Sequence, residues 1–355
     1  MATICRPGRA TPAHVIAQAD LLEALRARYA DLDMLEKKVR LIRHTTVKQR
    51  YFITPLERLF SHGGIASRVE DYIREGTSLA VKAITQALVN AQVSPADIGY
   101  FVLTSCTMPA VILPGLDAYI VNHMGLPHAV RRLPIAQMGC QAGATALAQA
   151  HHYLLGHPNE NALVCALELC SLNVQPDDTD DSAFVTMGLF GDGCYATVVR
   201  GDDREAGLHI LDTSQYLVPD TLSDMMYWND ERGNHFDTKR EVVPGLKRGF
   251  HAIHTFLTTC HCPPSDLSFL VSHTGGPRVM NAVIEGLGVE ERLIAASRES
   301  LREVGNISSA SVLDVLTRTF DTYRPYQEQR GLLLGFGPGS TIEMLLGTWQ
   351  ESERK

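Results

Sequence analysis

Arg132-Leu133-Pro134-Ile135-Ala136-Gln137-Met138-Gly139-Cys140 runs directly into Gln141-Ala142-Gly143-Ala144-Thr145-Ala146-Leu147-Ala148, and the reading of this stretch decides the fold class. The run up to Met138 predicts a strand, Gly139 a tight elbow, and the alanine-rich segment over 141–155 a helix. The same grammar continues outward. Upstream, an amphipathic helix over 69–93 leads through the turn Ser94-Pro95-Ala96-Asp97 into an apolar strand over 99–104. Downstream come strands over 161–169, 191–199 and 208–217. The second half repeats the pattern with a helix over 245–259, a strand over 267–272, helices over 277–286 and 306–320, and paired terminal strands near 331–336 and 340–347. Helices alternating with short, wholly apolar strands predict an α/β protein with buried sheets.

The chain has 355 residues, of which 45% are hydrophobic and 20% charged; this is ordinary globular composition, sufficient for two domains of about 150 residues or one large duplicated unit. No glycine-, serine- or proline-rich linker divides it. Its net charge of −8 argues against a general binder of nucleic acid or anionic membrane, since both need a basic excess. An anionic ligand must therefore meet a local basic patch. One candidate is the helix over 33–43, with Leu35, Val39 and Ile42 on one stripe and Lys37, Lys38, Arg40 and Arg43 elsewhere; such a face is by default merely solvated. The N-terminus lacks the order of a secretory signal, and no apolar run approaches the roughly 18 residues of a membrane span, so a cytoplasmic location is expected. The eight cysteines are scattered through a long chain and are expected to be free thiols. Cys260-His261-Cys262 invites a metal, but no second ligand pair follows it, and a surface turn is the plainer reading.

Three residues could carry chemistry. Cys140 sits at a strand-to-helix elbow, where the helix dipole favours a thiolate; a small buried filler is the competing reading. His273 ends a strand before Thr274-Gly275-Gly276-Pro277, at the sheet edge where α/β proteins place ligand-facing groups. A structural histidine would look the same. Asn306, after Gly305 and before Ile307-Ser308-Ser309-Ala310, is either a helix N-cap or part of a ligand wall. Gly335-Phe336-Gly337-Pro338-Gly339 is a rigid turn needing unusual backbone angles.

Together these segments resemble the type III polyketide synthases, the chalcone-synthase-like branch of the thiolase superfamily, and in particular its bacterial members. The resemblance spans nearly the whole chain. It is carried, in order, by Pro134-Ile135-Ala136-Gln137-Met138-Gly139-Cys140, Gly188-Leu189-Phe190-Gly191-Asp192-Gly193, His273-Thr274-Gly275-Gly276-Pro277-Arg278, Gly305-Asn306-Ile307-Ser308-Ser309-Ala310 and the turn from Gly335 through Glu343. It implies a thiolase-like layered αβαβα fold made of two related halves, 1–205 with the cysteine and 206–355 with the histidine and asparagine. It further implies Cys140 as the nucleophile that takes an acyl group from a coenzyme A thioester, with His273 and Asn306 as its partners in decarboxylative condensation of malonyl-CoA.

Phe190 and Phe236 match the gatekeeping aromatics, and Cys106, Cys170, Asn173 and Ser308 fall in segments that shape the cavity. Core packing is the ordinary alternative for both phenylalanines. Lys37, Arg40 and His44 match the positions that meet the coenzyme A phosphates. The resemblance implies a homodimer that needs neither metal nor separate cofactor; no feature indicates a carrier protein. The loop after Cys106, Thr107-Met108-Pro109-Ala110-Val111-Ile112-Leu113-Pro114-Gly115, departs from the bacterial pattern in being longer and more apolar, and in the family it approaches the partner subunit. The implied activity is iterative extension of an acyl-CoA or malonyl starter, then cyclisation to a pyrone, resorcinol or polyhydroxy-aromatic product. A single-condensation ketoacyl synthase is the alternative.

Overall fold

In the computed structural model, which describes residues 2–61, 63–201 and 206–351, one mixed sheet runs through the molecule. Its centre is the short strand Ala2–Ile4, which pairs antiparallel with Asp192–Arg200 on one side and Gly207–Leu217 on the other. Outward from Asp192–Arg200 lie Asn161–Leu169, Ile98–Thr104 and Arg131–Ile135, the last pairings being parallel. Outward from Gly207–Leu217 lie Thr341–Gln350, Arg330–Gly337 and Leu267–Ser272, again closing on a parallel pair. Each half thus mixes helix-linked parallel strands with antiparallel ones. The expected division at 205/206 falls beside residues 202–205, outside the described residues.

The layers follow from which faces are apolar. Helix Ala142–Gly156 and helix Ser311–Arg318 are buried on almost every side, as helices must be when sheets cover both of their faces. Their alanines and leucines share one core with Val102 and Val164 of the first half and Val271, Leu333 and Leu345 of the second. The amphipathic helix Ile65–Ala91 covers the outer face of the first half, and Phe250–Thr259 with Pro277–Leu287 covers that of the second. The result is the layered thiolase-like arrangement. The helix expected over 245–259 is interrupted at Gly249 into Val242–Arg248 and Phe250–Thr259. The one expected from 306 begins later, at Ser311, after a short turn over Ser308–Ala310; Asn306 therefore caps no α-helix.

Candidate active site

The elbow that presents Cys140 is built from glycine and close packing. Gly139 adopts φ +56°, and a Cβ there would stand 2.7 Å from the Pro338 ring, so only glycine fits this turn. The cysteine follows in the 3-10 turn Gly139–Gln141, which opens directly into the buried helix Ala142–Gly156. Strand Arg330–Gly337 lies against the same turn: a side chain on Gly335 would meet the Ala144 Cβ at 2.6 Å, and one on Gly337 the Met138 carbonyl oxygen at 2.8 Å. The glycines around 335–339 serve this approach as much as the turn itself.

The Asn306 and Ser308 side chains reach toward the Cys140 thiol, and the turn Ser308–Ala310 packs against Gly139–Gln141. The Asn306 Oδ1 accepts from the Ser308 backbone N–H at 2.8 Å and from the Ser311 hydroxyl at 3.4 Å, which leaves the amide N–H groups as the end free to donate. Ser308 holds φ +49°, a left-handed conformation that costs a non-glycine residue of order 1 kcal/mol and recurs at functional sites. His273 ends strand Leu267–Ser272, where its N–H donates to the Leu334 carbonyl at 2.8 Å. That bond sets it beside the strand whose Gly335 and Gly337 flank the Cys140 turn. The imidazole is buried, and its Nδ1 has no hydrogen-bond partner. The sequence placed these residues on three distant segments; the fold brings the asparagine onto the thiol and the histidine onto the strand alongside it.

Burial works against the thiolate that the helix start favours. Burial pushes the Cys140 thiol up to about 12, against the lowering effect of the Ser308 and Asn306 hydrogen bonds, and burial brings the His273 imidazole down to about 3. Desolvation penalises whichever form is charged, and here it outweighs the helix start.

Cys140 opens onto a cavity of about 470 Å³, lined also by Cys106, Cys170, Asn173, Ser308, Phe190 and Phe236, within the size range of sites for small molecules. Phe190 and Phe236 meet edge to face, with ring centroids 5.5 Å apart. Phe190 is tied to the asparagine segment through the backbone: Asn306 N–H donates to Leu189 O at 2.8 Å and Gly191 N–H to Asn306 O at 3.0 Å. Asn173 braces the wall by donating to Thr107 O at 2.8 Å.

Glu168 was absent from the residues singled out for chemistry. Its fully buried carboxylate accepts from Thr107 Oγ1 at 2.9 Å, from the Cys106 N–H at 3.1 Å and from the Ser309 hydroxyl. It holds the Cys106 loop against the turn that carries Ser308, and burial raises its pKa. An acidic residue within the otherwise apolar strand Asn161–Leu169 was the available signal. On the surface, Lys37 pairs with Asp181 at 3.0 Å, and so does the largely buried Lys38, at 2.9 Å; Arg40 and His44 are exposed. Cys262 is buried in the core of the second half, and Cys260 points at Asp212.

Residues 1–203 match the family model described as chalcone and stilbene synthases, N-terminal domain, and residues 209–348 match its C-terminal counterpart. The chain belongs to the chalcone and stilbene synthase family. It is 38% identical over 353 residues to a 1,3,6,8-tetrahydroxynaphthalene synthase of Streptomyces coelicolor, covering 99% of this chain and 94% of that one. To a phloroglucinol synthase of Pseudomonas fluorescens it is 34% identical, covering 98% and 99%. The crystal structure of the tetrahydroxynaphthalene synthase from Streptomyces coelicolor, titled a bacterial type III polyketide synthase, superposes with a TM-score of 0.94 and covers 98% of this chain and 99% of that one. The protein is therefore a type III polyketide synthase, an acyltransferase that condenses iteratively, and the single-condensation alternative is set aside. Among the described residues no helix is long and apolar enough to cross a membrane.

Proposed function

We propose that Cys140 accepts the starter acyl group from a coenzyme A thioester and that His273 and Asn306 hold the thioester oxygen of the incoming malonyl unit. The observation that carries this is the Asn306 carboxamide set on the Cys140 thiol at the end of a largely apolar cavity. Loss of carbon dioxide from malonyl-CoA leaves an enolate, and donors aimed at its oxygen stabilise that charge as it develops. The enolate carbon attacks the acyl thioester on Cys140. A carbon–carbon bond forms, the bond from sulfur to the acyl carbon breaks, and the extended chain leaves on coenzyme A. The Phe190 and Phe236 rings offer an apolar wall that favours expelling neutral carbon dioxide from a carboxylate. Incubation with malonyl-CoA and a panel of acyl-CoA starters, read by mass, is expected to give products spaced by one decarboxylated malonyl unit, cyclised to pyrone, resorcinol or polyhydroxy-aromatic rings. Release of free acid from the starter without malonyl decarboxylation would instead mark a thioester hydrolase. No metal or separate cofactor enters these steps, and a chelator is expected to leave the rate unchanged.

The coenzyme A phosphates are proposed to meet Arg40 and His44, with Lys37 joining them. Arg40 presents a planar, permanently charged fork suited to phosphate. Lys37 is partly neutralised by Asp181, so Arg40 should dominate. Arg40→Glu is expected to raise the KM for coenzyme A thioesters by about tenfold, with kcat little changed; an equal KM would return this face to plain solvation.

The active form is proposed to be a homodimer in the cytoplasm. Val111 and Leu113, on the apolar loop after Cys106, are 86% and 91% exposed, a condition that a second subunit would relieve. Equilibrium sedimentation is expected to give twice the 39.0 kDa of one chain; a single-chain mass would refute it.

A further inference from the structure

The hairpin Met225–Asp230 with Gly233–Thr238 forms a small sheet of its own and supplies one wall of the cavity through Tyr227, Trp228, Asn234, His235 and Phe236. A lone two-stranded hairpin is marginally stable in water, and all but the first residue of its outer strand are exposed. It is fastened by His235. The buried ring puts Nδ1 2.5 Å from Asp178 Oδ2 and Nε2 2.9 Å from Asp230 Oδ1, and the Trp228 indole stacks on it at 5.5 Å with planes 14° apart. Carboxylate oxygens only accept, so each contact is a hydrogen bond only while that ring nitrogen carries its proton, and both ends of the clasp hold together only when both nitrogens do.

Asp178 belongs to the opposite wall, whose Gln175 also donates to Asn234 O at 2.8 Å. Arg232 completes the cluster, with contacts of 3.2 Å to Asp178 and 2.9 Å to Asp230. Other charges nearby are accounted for. Asp177 acts on Arg232, Arg68 lies beneath the turn at Gly233, Asp181 is held by Lys37 and Lys38, and Asp180 caps the N–H of Ala183 at 2.8 Å.

We propose that His235, clasped between Asp178 and Asp230, is a positioning residue that fixes the neighbouring Phe236 against Phe190 and thereby sets the chain length the cavity releases. The proposal rests on the reading of this cavity as the site of the growing acyl chain. Deprotonation of the ring leaves one N–H for two carboxylates, so one end of the clasp opens and the hairpin loosens. Chain length then depends on pH, with the tighter wall at the lower pH.

The test is the product distribution, by mass, from malonyl-CoA and one acyl-CoA starter at several pH values between roughly 6 and 9. Asp230→Asn removes the outer acceptor at a side chain that is 39% exposed, where a folding defect is not expected, and should leave the acylation of Cys140 unchanged. It is expected to shift the ratio of products differing by one malonyl unit by about tenfold. His235→Asn should give the same shift, the double variant no more than either single one, and both variants should lose the pH dependence seen in the wild type. Phe190→Ser is the control, expected to move the distribution by acting on the wall directly. Wild-type distributions from Asp230→Asn and His235→Asn at every pH, with Phe190→Ser altered, would overturn the clasp alone. A silent Phe190→Ser, or a wild type that never loads Cys140, would overturn the reading of the cavity and this proposal with it.

Discussion

Cys140→Ala is expected to yield a folded protein that gains no acyl mass from any coenzyme A thioester and forms no elongated product, whereas the wild type gains one acyl group per chain. Removing one sulfur beside an existing cavity should cost on the order of 1 kcal/mol, too little to unfold a chain with a continuous core. The loss of chemistry should be complete, since without the thiol there is no covalent step to share the barrier. Cys106 is the substitute to test, because its Sγ lies 3.2 Å from the Ser308 hydroxyl beside Cys140. The two thiols differ in their neighbours. Cys106 sits on the Glu168 carboxylate, 3.5 Å from Oε2, which together with burial holds its pKa well above the usual thiol range. Cys140 has the Asn306 amide and the helix start. Peptide mapping of the loaded wild type should place the acyl group on Cys140; an alanine variant that still elongates, or an acyl group found on Cys106, would refute the assignment.

How much of this was legible beforehand depended on whether a residue's partners lie nearby in the sequence. Strand Asn161–Leu169 was readable because nearly all of it is buried and therefore apolar, and the long helix Ile65–Ala91 because one buried face imposes a period on it. Around Cys140 the buried, alanine-rich helix Ala142–Gly156 was readable from its composition, and the glycines marked where backbones approach. The hairpin beside the cavity left no such trace: Met226, Tyr227 and Trp228 are all exposed in succession, so no alternation announces a strand. The clasp of His235 on Asp178 spans 57 positions, and nothing local distinguishes that histidine from the other 13 of the 14. A helix start that favours a thiolate at Cys140 is visible in sequence, whereas the burial that opposes it is not. The resemblance named the residues, and the coordinates supplied their environment.

That environment gives the second large effect. Burial pushes the thiol up to about 12 and the imidazole down to about 3, so neither charge is expected to change near neutral pH. Acyl transfer from coenzyme A then requires the thiol proton to leave as sulfur attacks, and we propose the neutral His273 on the adjoining strand as the base. Its rate in the wild type should be level across roughly pH 6 to 9, because the base is neutral and the thiol protonated throughout that range. His273→Ala removes the acceptor. Only free thiolate can then attack, about one part in 10^5 at pH 7 for a group titrating near 12, and the loading rate should climb about tenfold per pH unit over the same range. Decarboxylation of malonyl-CoA should fall roughly a hundred- to a thousandfold in the same variant, since a donor to the enolate oxygen is also gone. The two readouts separate base from donor: a variant with slow decarboxylation but level loading would keep His273 as a hydrogen-bond donor and remove it as the base. Stopped-flow loading measured by intact mass, with carbon dioxide release followed in parallel, decides between them. Because the imidazole has one unpartnered buried nitrogen and no carboxylate to hold a charge, the structure favours a ring that takes the proton during the transfer and passes it on before the next malonyl unit enters.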